Sequence, residues 1–276
     1  MFRHVEVFPG VYHITDAMGV SFTLIEGQKR ALLVDAGYGT ENVQAYVQGL
    51  TDRPVSVLLT HGHHDHALGA RWFPETMMCA EDMPVFRLRT AKAQREAVRG
   101  QAQSMNVAVP DDFLTAPIPD PKPLTFTGTL GGFPCLEEDL GGLIIRVVRV
   151  PEHTPGSVMV IVPAYGLLLT GDDWNPCTWM WFAESAGARG WRDDMLRFLR
   201  AVEEAGVELK TVLCSHQAAP REAGELKEFL AYMTDDRLQN APPVDMNSPI
   251  RTRAVSVPER SWLLIFDGEK LHTNRV

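Results

Sequence analysis

The sequence predicts a layered α/β protein built from two similar halves. Three observations carry that expectation. The order strand–Asp–helix–strand–His occurs twice, over residues 31–61 and again over 167–216. Short, mainly apolar runs at 55–59 and 167–169 read as strands buried on both faces. The segments between them carry apolar residues at the i, i+3, i+4, i+7 spacing of a helix. In both copies polar residues fall where strands end, which is where open α/β sheets place their sites. Two such halves with facing sheets bring both sets of strand tips to one edge.

Taken in order, residues 5–8 and 11–14 read as strands around a Pro9–Gly10 turn, and residues 20–25 and 31–34 as two more. Val43, Tyr46, Val47 and Leu50 mark a helix with Thr40 as its N-cap. Met195, Phe198, Leu199 and Val202 mark another, with Asp193 as cap and Gly206 just past its end. Leu226, Phe229, Leu230 and Met233 mark a third. Residues 83–105 look helical but weakly amphipathic, and residues 115–133 are rich in Pro, Gly and Thr. Together they read as an insertion over about 83–133. Residues 262–266, the Asp267–Gly268 turn and residues 269–273 suggest a C-terminal hairpin within about 254–274. Nothing resembles a linker, so one domain over 1–276 is expected.

Bulk composition narrows the function. With 276 residues, 45% hydrophobic and 22% charged, the chain can bury a core without disulfide staples. A net charge of -9 disfavours a nucleic-acid partner. No run approaches the roughly 18 apolar residues of a membrane span, and the N-terminus lacks an apolar leader. Cys79, Cys135, Cys177 and Cys214 form no CxxC pair and are read as reduced, which points to the cytoplasm.

The chemistry concentrates in Thr60-His61-Gly62-His63-His64-Asp65-His66. Divalent metals need neutral imidazole and carboxylate donors that converge from several directions. A loop leaving a strand can aim His61 and His63 at one metal, because alternate residues share a direction. A helix start directly afterwards would turn Asp65 and His66 towards a second metal and His64 away. The plain alternative is a polar loop with coincidental histidines. Four histidines and one aspartate in six residues, directly after a buried strand, argue against it. His153 lies in a turn between two strands, Asp172 follows Gly171 at a strand tip, and His216 closes the set. Each of these three would be unremarkable by itself.

With those residues in view, the chain resembles the metallo-β-lactamase superfamily, whose pattern is HxHxDH, a downstream His, an Asp after a buried strand and a final His. The matches are His61, His63, Asp65, His66, His153, Asp172 and His216, and the resemblance covers roughly residues 1–235. It implies a four-layered αβ/βα sandwich of two mixed sheets with outer helices. It also implies that His61, His63 and His153 hold one metal, that Asp65, His66 and His216 hold another, and that Asp172 bridges them. Zinc is the first expectation, and manganese or iron also suit such donors. Asp35 matches a family position near the site; a supporting role there and a purely structural turn role both stay open. Two ions roughly 3.5–4 Å apart would share a water, lower its pKa towards about 7 and direct the resulting hydroxide at a carbonyl or phosphoryl centre. Asp65 would orient that nucleophile or return a proton to the leaving group. Ser157 and Ser215 are then structural. One departure from the pattern is Ser215-His216-Gln217, where many relatives carry glycines around the last histidine.

The expected activity is hydrolysis of a small ester, lactone or thioester. The alternatives are a phosphodiesterase acting on a small phosphorylated metabolite and an inactive metal-binding sensor or scaffold. Four of the six tryptophans fall within residues 174–191. Trp174, Trp179 and Trp181 would line a pocket for an apolar acyl or ring-containing substrate. They could equally pack under the loop or form a homodimer contact. Lys92, Arg95 and Arg99 share a helix face, read as solvated in preference to anion-binding.

Overall fold

A computed structural model describes residues 1–271 and contains two seven-stranded sheets and one of three strands. The first sheet runs in chain order: β1 (Arg3–Phe8), β2 (Val11–Thr15), β3 (Ser21–Glu26), β4 (Ala31–Val34), β5 (Val55–Leu58), β6 (Met77–Met78) and β7 (Lys122–Pro123). The second uses β8 (Gly128–Leu130), β9 (Phe133–Asp139), β10 (Ile144–Arg149), β11 (Val158–Val162), β12 (Leu167–Leu169), β14 (Thr211–Leu213) and β15 (Arg221–Glu222). Between β12 and β14 the chain makes β13 (Cys177–Met180), which belongs to the small third sheet with β16 (Thr252–Val257) and β17 (Trp262–Asp267).

Both halves combine an antiparallel meander with a parallel crossover through a helix, and the first half continues with β6 and β7, also parallel. In the first, α1 (Val43–Gln48) connects β4 to the parallel β5, with Val34 opposite Leu58. In the second, α5 (Ala188–Glu204) connects β12 to the parallel β14, with Leu169 opposite Leu213. This is the doubled order expected from the sequence.

Strand periodicity explains the four layers. Successive side chains point to opposite faces, and β12 separates them cleanly. Leu167 and Leu169 join Leu32, Val34 and Leu58 in the core between the two sheets. Leu168 instead packs outward with Met195, Phe198 and Val202 of α5 and with Leu226, Phe229 and Leu230 of α6 (Ala223–Tyr232). On the other flank Leu24, Leu33 and Val57 pack with Val43 and Val47 of α1. Both sheets are thus covered on both faces, giving the metallo-β-lactamase fold with its αβ/βα sandwich.

Several local expectations change. The cap of α1 is Asn42, whose side chain accepts from Ala45 N at 3.0 Å, while Thr40 is buried. Helix α5 begins at Ala188, not after Asp193, because its buried stripe extends back through Trp191 to Ala188. Gly206 does lie just beyond its end, with φ of +76°. In the 83–133 region, α3 (Met83–Arg89) and α4 (Lys92–Ser104) precede the passage from the first sheet to the second. On α4 Lys92 and Arg99 are exposed as expected, while Arg95 is half-buried. It donates to the carbonyls of Thr90 at 2.8 Å and Ala116 at 2.6 Å, and so holds the following loop.

The C-terminal hairpin is formed by β16 and β17, upstream of the expected turn. Strand β17 already has β16 on one side and the parallel β13 on the other. It has no edge left for a strand after Asp267. Residues 269–271 accordingly form none, and His272 and Thr273 lie outside the described residues. A one-turn helix α2 (His64–Ala67) and a short α7 (Asp235–Gln239) complete the elements. Among the described residues no helix is long and apolar enough to cross a membrane.

Trp174 corrects the expected aromatic wall. It is fully buried and packs edge-on to Phe229, its ring centroid 6.1 Å away. The chain turns inward there because Trp191 of α5 donates its indole N–H to the carbonyl of Asp173 at 2.7 Å. Trp174 is therefore a core residue. Replacing it with Ala should destabilise the protein by about 3–5 kcal/mol, the usual cost of emptying a large aromatic site. Urea unfolding of Trp174→Ala against the parent chain measures this.

Candidate metal centre

The strand tips of both sheets meet at one edge, and the histidines and aspartates lie there. His61 follows β5, and the run through His66 enters α2, which starts directly after an extended His63. From the second sheet, His153 follows β10, Asp172 follows β12 and His216 follows β14. These residues form two clusters. His61, His63 and His153 each bring a ring nitrogen to within 4.8 Å of the others, and the carboxylate oxygens of Asp65 and Asp172 lie as close to ring nitrogens of His66 and His216. One oxygen of Asp172 reaches both, at 3.1 Å from His216 Nε2, 3.4 Å from His66 Nε2 and 3.8 Å from His153 Nε2. His64 belongs to neither cluster; its ring lies edge-on to Tyr38.

The outward nitrogens of His61, His63, His66 and His153 are anchored, and this decides what the inward ones carry. His153 Nδ1 faces the carbonyl of Trp179 at 2.9 Å, so it bears the proton. His63 Nε2 faces the Glu184 carboxylate at 2.9 Å and also bears a proton. Thr60 donates its hydroxyl to Asp35 and therefore accepts from His61 Nδ1 at 3.0 Å. His66 Nδ1 donates to Asp35 at 2.9 Å. In the first cluster the inward nitrogens are left with lone pairs. His61 Nε2 and His66 Nε2 are buried with no hydrogen-bond partner, and His63 Nδ1 faces His153 Nε2 at 3.0 Å. Two lone pairs cannot bond to each other, so His61 Nε2, His63 Nδ1 and His153 Nε2 fit one shared cation.

Electrostatics agree. Burial pushes the pKa of His61 well below its usual value, helped by the neighbouring His66, His63 and His153. Burial and His63 bring His153 down to about 3. Both rings are then neutral, the form that ligates. In the second cluster burial opposes every charge, yet the mixture of signs overcomes it. Asp172, Asp65 and Asp35 raise His66 well above its usual range. His66, His64 and His216 hold Asp65 at about 2. A divalent cation would satisfy the same carboxylates without those protons.

Several residues that position the site carry no motif. Asp82, at the start of α3, accepts from Gly62 N at 2.5 Å, Gly156 N at 2.7 Å and the Thr154 hydroxyl at 2.9 Å. It joins the His61 loop to the His153 loop across the two sheets. Gly62 is required between the histidines because a Cβ there would lie 2.5 Å from the backbone nitrogen of Phe86. His13 of β2 contacts the carbonyl of Gln217 at 2.8 Å and steadies the His216 loop, as does the bond from Ser21 N to Ser215 O at 2.6 Å. Asn175 donates to Asp172 and accepts from His216 N, each at 3.2 Å. Asp173 accepts from His153 N at 2.8 Å. Glu184 is ionised against the cost of burial by His63 and Arg89. It is the sole acidic residue between Asp173 and Asp193, a signal available in the sequence. Asp35, buried and left-handed at φ +66°, accepts from Thr60 N at 2.7 Å as well as from His66. It thus supports the site and shapes its turn.

The metallo-beta-lactamase superfamily model matches residues 15–172, more than half of the chain. The chain belongs to the metallo-beta-lactamase superfamily. Among curated relatives of this superfamily member, the Beta-lactamase-like protein 2 homolog of Drosophila melanogaster is 27% identical over 161 residues, covering 56% of this chain and 46% of the fly protein. This chain thus spans about half of that relative. The acyl-coenzyme A thioesterase MBLAC2 of Gallus gallus is 23% identical over 203 residues, covering 63% of this chain and 69% of that protein. Among solved structures, the inverting sec-alkylsulfatase Pisa1 from Pseudomonas sp. matches with a TM-score of 0.61 at 19% identity, over 86% of this chain and 41% of its own. A metallo-β-lactamase from Erythrobacter litoralis matches with a TM-score of 0.55 at 16% identity, over 83% and 94%. At such identities the structural matches speak for the fold alone.

Removing the Asp82 carboxylate would leave the Gly62 and Gly156 N–H groups unpaired, at about 1–3 kcal/mol each. Asp82→Ala should therefore lose about 3 kcal/mol or more of stability and weaken metal uptake. Thermal melting with and without added zinc reads both effects.

Proposed function

We propose that this superfamily member is a two-metal hydrolase of a small ester, lactone or thioester. The observation that carries the proposal is the pair of converging donor clusters that share Asp172. His61, His63 and His153 would hold one ion, Asp65, His66 and His216 the other, and Asp172 would bridge them. Bound there, two divalent ions supply an activated water and polarise the scissile carbonyl. The chain's own groups do the rest. Asp65, held ionised at about 2, accepts a hydrogen bond from the attacking water and orients it. Thr60, Glu184, the Trp179 carbonyl and Asp35 fix the rings, so no reorganisation is needed during the reaction.

The substrate reading rests on what stands beside the first cluster. Phe182 lies edge-on to His63 at 4.9 Å and to His153 at 5.5 Å, and Trp181 stacks on Phe182 at 4.8 Å. Trp179, 41% exposed, lies 6.0 Å from Trp181. This surface suits the apolar part of an acyl group. The thioesterase named among the relatives favours thioesters within that class. Four free cysteines suit a reducing compartment such as the cytoplasm.

Thioesters, lactones and bis-p-nitrophenyl phosphate should be offered to the zinc-loaded protein. Turnover of a thioester or lactone, abolished by chelation, is expected. Turnover of the phosphodiester alone would replace this reading, and full loading with no turnover would remove it. Chelation should also lower the melting temperature, because an ion that binds only the folded state stabilises it. Asp172→Ala should lose one of two bound ions and more than about 100-fold in activity, beyond the 10- to 100-fold typical of residues outside the ligand set. Elemental analysis and steady-state rates test this.

A further inference from the structure

Glu184 sits on the chain between β13 and α5, far in sequence from the histidine run it touches. Its Oε1 accepts from His63 Nε2 at 2.9 Å and from Arg89 Nη2 of α3 at 2.6 Å. The Arg89 guanidinium also lies 5.4 Å from the Phe182 ring, and that ring packs against His63 and His153. The same segment grips His153 from two sides. The Trp179 carbonyl accepts from its Nδ1 at 2.9 Å, and the Ser185 hydroxyl donates to its carbonyl at 2.8 Å. A neutral imidazole presents one lone pair, and the partner of its N–H decides where that lone pair points. With Glu184 on Nε2, the lone pair of His63 is on Nδ1, facing His153 Nε2 at 3.0 Å.

We infer that Glu184, locked by Arg89, is the positioning residue that sets the tautomer and orientation of His63, and thereby the metal affinity of the His61–His63–His153 cluster. The inference rests on the reading of that cluster as a metal site and adds how one of its ligands is prepared. Arg89 acts through Glu184. Its Nη2 donates to Oε1 at 2.6 Å and holds the carboxylate against His63. The aromatic segment thus carries two functions: Trp179, Trp181 and Phe182 offer an apolar surface, and Glu184 supports the ligand beneath it.

Zinc binding to the metal-free full chain, measured by competition with a chromophoric chelator, tests this without reference to any substrate. The parent chain should take two ions. Glu184→Ala should weaken one of the two by about 10- to 100-fold and leave the other nearly unchanged. Glu184→Gln should fall between them, because its carbonyl still accepts from His63 Nε2 while the Arg89 pairing is lost. Lys270→Met supplies the control. Lys270 donates to the carbonyls of Phe182, Ala183 and Ser185, so its loss loosens the same loop and leaves Glu184 and the site histidines themselves unaltered. It should bind both ions within a few-fold of the parent. Parent-like affinity in Glu184→Ala would overturn the inference, as would equal losses in Glu184→Ala and Lys270→Met. If Glu184→Ala does not fold, Glu184→Gln decides, and undiminished affinity there overturns it. A parent chain that binds no zinc would refute the metal centre and the positioning role together, whereas two tightly bound ions in every variant would refute the positioning role alone.

Discussion

The centre is organised around a repulsion. Imidazoles turn their inner nitrogens towards one another in a buried seam, with His63 Nδ1 and His153 Nε2 3.0 Å apart and His61 Nε2 buried beside them. Left alone, rings in that arrangement would rotate or take up protons. They are prevented because every outward N–H is already committed to a different part of the fold: Thr60 after β5, Asp35 after β4, the Trp179 carbonyl in β13, and Glu184 beyond it. The rest of the architecture serves that constraint. The ends of β4, β5, β10, β12 and β14 meet at one edge. Asp82 ties the two loops together, and the apolar layers on either side keep water from screening the charges.

Much of this was legible in the sequence because it is local. The run from His61 to His66 has spacing that means something by itself, and the order strand–Asp–helix–strand–His repeats at recognisable intervals. The apolar strands and the stripe on α5 follow simple periods of two and 3.6. Helix starts were misplaced where the cap depends on the turn before it, as with Asn42 in place of Thr40. The hairpin was shifted because strand pairing depends on which edges are already taken, and β17 has both of its edges occupied.

What escaped was non-local. Asp82 meets Gly156 from 74 positions away and Glu184 meets His63 from 121, and no periodicity encodes such pairs. His13 looked like any strand residue until the loop at Gln217 came to rest on it. The tryptophans show the same limit in reverse. Trp174 and Trp179 share a composition signal, but one is sealed against Phe229 while the other reaches the surface. Only the path of the backbone after Asp172 separates the two fates.

The pairing of β13 with β17 has a temporal consequence. The loop that presents Glu184 is braced by a strand some eighty residues further along the chain, and by Lys270 beyond it. During synthesis the histidines of the first half emerge early, but β13 cannot pair until β17 has left the ribosome.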